Sequence, residues 1–298
     1  MKTDSPGNPP VLVTAIQTVV AMVAFAANSL LCRSALDGGE IDAASFTSIR
    51  ILAGALTLVI VLRLSGDRSP TWFGGGWISP VLLAIYAGTF SFAYLRLSTG
   101  TGALIMFGSV QLTMILWALG SGERPGLLEW SGLIVAFAGM IYLVSPGVEA
   151  PPLSGAFLMT LSGISWGFYT IRGRGGINPM AATAGNFIVA VPLTLVISAV
   201  AFRSIEITAT GLILAVFSGS LASGCGYVVW YAALRHLNST RAAVVQLSVP
   251  LIAAAGGILF LSEAFSLRLI ISSGLILGGV GMAVGGRPRP ETVRASAV

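Results

Sequence analysis

The second half of this chain repeats the first at a distance of roughly 140 residues. The stretch Gly132–Met140 returns as Gly274–Met282, with both glycines and the methionine in register, and Ala103–Glu123 is echoed by Ala243–Glu263. Whatever structure one unit adopts, the other must adopt in outline. Both units are made of long apolar runs, so the repeat constrains the environment as well as the fold.

Hydrophobic residues make up 55% of the chain, charged residues only 9%, and the mean hydropathy is +0.90. A soluble domain carries about a quarter of its residues charged, so this composition belongs to a membrane protein. A bilayer core asks for ~20 apolar residues per helix. Ten such spans can be marked: Val11–Leu31, Ala43–Leu64, Ile78–Leu97, Thr101–Leu119, Leu127–Val144, Leu153–Ile171, Pro179–Phe202, Ala209–Leu234, Ala242–Leu261 and Leu267–Val284. Backbone groups in lipid must be satisfied within the segment, which selects helices, and the short alternating segments of an outer-membrane barrel are absent. The expectation is an all-α integral membrane protein of ten transmembrane helices. The first unit covers 11–144 and the second 153–284, with a tail at 285–298. Five spans per unit is an odd number, so the two copies cross in opposite senses. Inverted repeats are an architecture of secondary transporters.

The first span has features of a secretory leader, with Lys2 ahead of it and Ala24-Phe25-Ala26 resembling a cleavage site. Its length and its counterpart in the sixth span argue that it is retained. With the N-terminus inside, eleven of the sixteen basic residues fall on the cytoplasmic side: Lys2, Arg63, Arg68, Arg124, Arg172, Arg174, Arg235, Arg241, Arg287, Arg289 and Arg294. Arg33, Arg96, Arg203 and Arg268 fall outside, and Arg50 lies within the second span. The positive-inside rule therefore places both termini in the cytoplasm of a cell with a plasma or inner membrane. The net charge of +5 is orientation charge and implies no nucleic-acid partner. Pro- and Gly-rich junctions end both units, at Ser145–Pro152 and at Gly285–Pro290, on opposite faces.

The acidic residues bound the chemistry. Asp37, Glu40, Asp42, Glu149, Glu206 and Glu263 lie at outer span ends, and Asp4, Asp67, Glu123, Glu129 and Glu291 at inner ones. No carboxylate sits mid-span, where ion-coupled carriers often place one. The only histidine, His236, is at a span end, so neither a His-Glu-x-x-His metal site nor a Ser/His pair can be assembled, and the chain is not expected to be an enzyme. No cofactor or metal is implied. Cys32 and Cys225 fit no redox or zinc spacing and suit small buried apolar positions.

Arg50 is the one charge deep in a span, a position that usually faces a wet cavity or the bundle interior. It suits either an anchor for a substrate carboxylate or a structural arginine bonded to helix carbonyls. Polar and aromatic residues cluster at span middles. Asn28, Tyr86, Phe90 and Gln111 lie in the first unit, and Trp166, Tyr169, Asn186, Tyr227 and Gln246 in the second. Tyr86, Phe90 and Tyr94 recur every fourth residue and share one face. Apolar surroundings with a few convergent polar groups suit a small amphipathic ligand. Tyr94, Trp117 and the Trp230-Tyr231 pair lie near span ends and are assigned to the membrane interface instead. Pro250 removes a backbone hydrogen bond within the ninth span, as a static kink or as a hinge between two states. Gly163 and Gly167 in the sixth span suit close helix packing, as do Gly274, Gly278, Gly281 and Gly285 in the tenth; the last set also suits a weak dimer face.

These residues together resemble the drug/metabolite transporter superfamily, in its ten-helix, EamA-type form. The likeness is carried by Arg50, by Trp166-Gly167, by Ala103–Glu123 and Ala243–Glu263 with Pro250, and by the two Gly-x6-Gly-Met endings. It covers nearly the whole chain and is greatest toward the aromatic amino-acid exporters. That resemblance implies export of neutral or aromatic amino acids by alternating access, with a small-molecule substrate, the lipid bilayer as surroundings and a monomeric or weakly dimeric state. The lack of a mid-span carboxylate favours facilitative transport. Broad-specificity drug efflux by proton antiport is the rival within transport, and a channel-like pore or lipid-handling protein the rival outside it. The units depart from one another at Ala26-Ala27 against Trp166-Gly167 and at Val110 against Pro250.

Overall fold

In a computed structural model the described residues are 11–66, 76–121, 126–147, 150–173, 178–201, 205–237, 239–264 and 266–285, and within these the side chains of Ser239, Thr240 and Ala243 are not described. Lys2, Asp4, Asp67, Arg68, Glu123, Arg124, Glu149, Arg174, Arg203, Arg287, Arg289, Glu291 and Arg294 lie outside them, as does most of the Gly285–Pro290 junction. The described residues are helical almost throughout: α1 Val11–Asp37, α2 Ala43–Leu64, α3 Ile78–Tyr94, α4 Thr99–Gly120, α5 Leu127–Val144, α6 Leu153–Gly173, α7 Pro179–Val200, α8 Ala209–Phe217, α9 Gly226–Leu234, α10 Ser239–Gln246, α11 Ser248–Leu261 and α12 Leu267–Gly285. A π-helical segment, Ser218–Cys225, joins α8 to α9 into one rod. Among the described residues the only extended pairing is an isolated bridge between Ile41 and Ile207.

Eight rods are long and apolar enough to cross a membrane, α8 to α9 and α10 to α11 each counting as one. The other two helices are α3, which is apolar but shorter, and α6, whose Ser, Gly, Thr, Trp and Tyr residues dilute its apolarity. These two pack against each other, and α6 packs on α4 as well. Large apolar side chains such as Ile134, Phe137, Val196, Val200, Leu259 and Phe260 stand exposed on the outside, as expected of a lipid-facing surface. Three helix starts are capped locally. The Asp42 carboxylate accepts the Ala44 and Ser45 N–H groups at 3.1 and 2.9 Å, Asn178 accepts from Ala181 at 3.0 Å, and Thr208 accepts from Gly211 at 3.1 Å.

Packing depends on backbone approach. A Cβ added at Gly132 of α5 would run into the Gly279 carbonyl and the Ala283 N–H of α12, and one at Gly139 would meet Leu275 and Ile276. The matching repeat glycines of α12 behave differently. Gly274, Gly278, Gly281 and Gly285 have nothing within 4 Å, and Gly279 is the one glycine of α12 pressed against α5. Gly163 and Gly167 of α6 press on α4 at Met106, Ser109, Val110 and Thr113.

Two rods are interrupted where continuous spans are expected. Ser218–Cys225 widens into a π turn that lays Gly219 on the Arg50 carbonyl of α2 and Gly224 on Thr57. The ninth rod breaks at Leu247, between α10 and α11. Pro250 has no N–H for the Gln246 carbonyl four residues back, and the Ser248 hydroxyl donates instead to the Val245 carbonyl at 2.7 Å. The proline thus sits in the first turn of α11, and the break lies just before it.

Candidate functional site

Arg50 is 2% exposed, two turns into α2, held at its backbone by Gly219 of the π segment. Its Nη2 donates to the Tyr86 hydroxyl at 2.7 Å, and its guanidinium carbon stands 5.3 Å from the Tyr86 ring centre and 4.8 Å from that of Phe90. Its Nε and Nη1 have no partner. Ion pairs among the described residues join Arg33 to Asp37 and to Glu263, and none reaches Arg50. A buried guanidinium with two free N–H faces is costly, because each unmade bond forfeits about 1–3 kcal/mol of hydration.

Around it runs a chain of rings. Tyr86 lies 5.7 Å from Phe90 and 4.7 Å from Trp166, and Phe90 meets Tyr94 edge-on at 4.8 Å. Trp166 stacks on Tyr169 at 5.1 Å and approaches Tyr227 at 5.7 Å. Tyr227 in turn touches Phe25, Phe187 and Tyr231, and Phe25 meets Trp230 at 6.1 Å. Polar groups punctuate this wall. Asn186 donates from Nδ2 to the Tyr169 hydroxyl at 3.2 Å, and Thr183 shares a 2.7 Å hydrogen bond with the Tyr231 hydroxyl. The Asn28 side-chain oxygen accepts from Ser218 at 2.5 Å, tying α1 to the π segment. Much of this wall comes from α3 and α6, the two helices short of spanning length or apolarity.

Of the residues expected from sequence, Arg50, Tyr86, Phe90, Trp166, Tyr169 and Asn186 form one connected cluster. Asn28 joins it indirectly, one turn of α1 from Phe25. Gln111 is 1% exposed on α4 with its Nε2 unpartnered. Gln246 is half-buried at the end of α10. No ring contact or hydrogen bond among the described residues joins either glutamine to the cluster. Tyr94, Trp230 and Tyr231, assigned from sequence to the interface, instead lie within the ring chain, and Tyr94 is fully buried. Trp117 is half exposed and, among the described residues, meets only Phe168 in a ring contact, as an interfacial residue does. Phe25 is, with Phe187, a member that sequence reasoning missed. The signal for Phe25 was available, since it stands next to Ala26-Ala27, the positions that match Trp166-Gly167. Cys32 is buried, Cys225 half-buried, and both are free thiols. A separate cavity of about 310 Å³ lies at one end of the bundle, lined by Arg96, Ser98, Thr101, Pro152, Ser266 and Leu269 among others.

A bundle of apolar helices around a buried cationic and aromatic centre is the build of a small-molecule membrane transporter. The comparisons with known proteins agree. Residues 153–285 match the family described as "EamA-like transporter family". A transporter of Archaeoglobus fulgidus described as uncharacterized is 30% identical over 77% of this chain and 83% of its own length. A Pseudomonas aeruginosa protein, also described as uncharacterized, is 46% identical over 92% of this chain and 95% of its own. An Escherichia coli protein described as an uncharacterized inner membrane transporter, YedA, is 28% identical over 46% of each chain. One solved crystal structure superposes with a TM-score of 0.67 over 92% of this chain and 98% of that one, at 16% identity, a likeness of fold. The chain belongs to the EamA-like transporter family, within the drug/metabolite transporter superfamily.

Proposed function

We propose that the chain exports a neutral or zwitterionic metabolite across a bacterial inner membrane by alternating access, and that the substrate class is amino acids with apolar or aromatic side chains. The carrying observation is Arg50, buried among rings with Nε and Nη1 unpartnered. A guanidinium fork uses two adjacent N–H groups, so a substrate carboxylate engages Nε or Nη1 together with the second N–H of Nη2. The rings of Tyr86, Phe90 and Trp166 supply an apolar wall for the rest of the molecule, and their faces suit an ammonium group. Asn186 and Asn28 fix polar contacts farther along the wall.

The repeat supports the inverted architecture. α5 packs on α12 and α2 on α7, while α3 packs on α6 as the α8–α9 rod packs on α1. Each contact maps to itself or to another when the halves exchange. Every acidic residue that is described lies at or near a helix end. Glu129, the most buried of them, is occupied in accepting the Gly126 N–H at 2.9 Å at the start of α5. No mid-helix carboxylate is therefore present among the described residues to carry a proton, and transport is facilitative. Pro250, beside the Leu247 break, is the hinge.

Reconstituted into liposomes, the protein should carry radiolabelled phenylalanine to equilibrium, saturably and independently of an imposed pH gradient. Uphill flux driven by the gradient would indicate antiport. Cationic dyes moved in place of amino acids would favour drug efflux, and non-saturable flux a pore.

A further inference from the structure

At the end of the bundle that carries the cavity, one carboxylate ties four helices together. Helix α11 ends with Ser262 in the left-handed conformation, φ 53°, and the Glu263 N–H turns back to the Gly257 carbonyl at 3.1 Å. This reversal points the Glu263 side chain at the start of α4. Its two oxygens accept the Thr99 N–H at 2.7 and 2.9 Å, and Oε1 also accepts the Thr99 hydroxyl at 2.9 Å. Arg33 of α1 stands 3.7 Å from the same Oε1 and donates from Nη1 to the Tyr94 carbonyl at the end of α3, 2.9 Å away. The Tyr94 hydroxyl closes the loop by donating to the Thr99 carbonyl at 3.3 Å. Elements separated by 164 residues are thus joined through one side chain.

The neighbouring small residues are arranged to permit this. A Cβ at Gly257 would collide with the Glu263 carboxylate, one at Gly100 would meet Ala254 at 2.7 Å, and one at Gly256 would meet Leu30 at 2.5 Å. Helices α1, α4 and α11 therefore converge at this end as closely as their backbones allow. The convergence is directly connected to the candidate site: Tyr94 meets Phe90 edge-on, and Phe90 carries the Arg50 guanidinium on its face. The cavity lies against the same junction, since its lining includes Ser98 and Ala264, the chain neighbours of Thr99 and Glu263.

We infer that Glu263, Thr99 and Arg33 form the gate that closes this face of the transporter, and that opening the path requires Glu263 to leave the start of α4. The inference goes beyond the substrate reading and shares with it only the premise of alternating access. A charge-assisted hydrogen bond set at a helix N-terminus suits a latch. It is strong while the face is closed, and water filling the adjoining cavity can replace every bond when the face opens. Departure of Glu263 frees α4 and α11 from each other and leaves Arg33 paired with Asp37 on its own helix. Ring contacts running from Tyr94 to Arg50 give occupancy of the site a route by which to influence the latch.

The test uses a native thiol. Cys32 adjoins Arg33 in sequence, is fully buried, and lies against Ser91 within electrostatic reach of both Arg33 and Arg50. In a Cys225→Ala background, a membrane-impermeant maleimide is applied to right-side-out and to inverted vesicles, and labelling of Cys32 is timed. Glu263→Ala should accelerate labelling by at least about tenfold, the factor that corresponds to 1.4 kcal/mol, and from one face only. Gly257→Ala keeps every latch residue yet fills the space in which the carboxylate turns, so it should do the same and covers the case in which Glu263→Ala does not fold. Unchanged rates in both variants, or equal acceleration from both faces, would overturn the inference. Conversely, Thr99→Cys with Glu263→Cys, joined by a short bis-methanethiosulfonate in a background lacking both native cysteines, should stop phenylalanine flux until reduced. Flux through fully cross-linked protein would overturn it too. Because the labelling needs no substrate, absence of any amino-acid transport would count against the proposed function and leave the latch result standing.

Discussion

Replacing Arg50 with methionine separates a binding arginine from a structural one. Arg50 makes one charge-assisted hydrogen bond, to Tyr86 at 2.7 Å, and lies over two rings. The hydrogen bond contributes about 1.5–3 kcal/mol and each ring contact about 0.5–1 kcal/mol. Against this stand two buried N–H groups without partners, each costing about 1–3 kcal/mol. The opposing contributions nearly cancel, so Arg50→Met should leave the empty protein's stability within roughly 2 kcal/mol of the parent. Breaking a fully paired buried charge would cost about 3–5 kcal/mol. Binding behaves differently. Losing even one charge-assisted bond to a carboxylate, about 1.5–3 kcal/mol, weakens affinity about 10- to 150-fold. The assay is thermal unfolding in detergent with and without saturating phenylalanine, paired with liposome KM values. The parent should gain stability with the ligand and the variant should not, while their ligand-free melting curves nearly coincide. A variant that melts far below the parent, yet keeps the ligand shift and the KM, would refute the argument and make Arg50 a structural residue.

Other outcomes follow from the same geometry. Trp166→Ala removes the ring shared by Tyr86, Tyr169 and Tyr227 and should raise the KM for phenylalanine about tenfold or more, whereas Trp166→Phe should restore most of it. Gly279→Ala places a methyl against the α5 backbone at Gly132 and Ala136 and should cost about 1–3 kcal/mol in thermal unfolding. Gly278→Ala, one residue away with nothing within 4 Å, should be neutral or stabilising by up to about 1 kcal/mol. Asp42→Ala removes the cap of α2 and should lower stability by about 1 kcal/mol without changing the KM. Pro250→Ala restores a donor for the Gln246 carbonyl and should slow turnover in liposomes while leaving equilibrium binding intact.

The helices were legible because lipid leaves a chain few choices. A run of apolar residues of bilayer length, such as Ala43–Leu64, has no other way to satisfy its backbone. Arg50 and the Tyr86–Phe90 face were legible for the complementary reason, being out of place in lipid. Tyr94 and Trp230 lie near span ends yet are buried, because position along a span is not depth in the bundle. Tyr94 ends α3, but the α3–α4 corner and Glu263 fold over it and bury it. The π segment gave no periodic signal, since Ser218–Cys225 reads equally well as an ordinary run of small residues. The repeat itself misled once. Gly274 and Gly281 match Gly132 and Gly139 in register, yet their helix is turned so that Gly279 faces α5. Pairings such as Thr99 with Glu263 depend on which helix ends converge, and no local pattern encodes that.

Arg50 also makes the empty protein an electrical object. A guanidinium with no ion-pair partner among the described residues, inside an energised membrane, feels about 2.3 kcal/mol per 100 mV for each full crossing of the field. Any change of access that moves Arg50, or moves the water that screens it, carries part of that charge. A zwitterion leaves the total unchanged when it binds, whereas a simple carboxylate neutralises it. Membrane potential should therefore bias the empty and zwitterion-loaded forms alike and release its hold on a protein carrying a monoanion. Voltage dependence of the transport cycle thus reports the ionic form of the cargo.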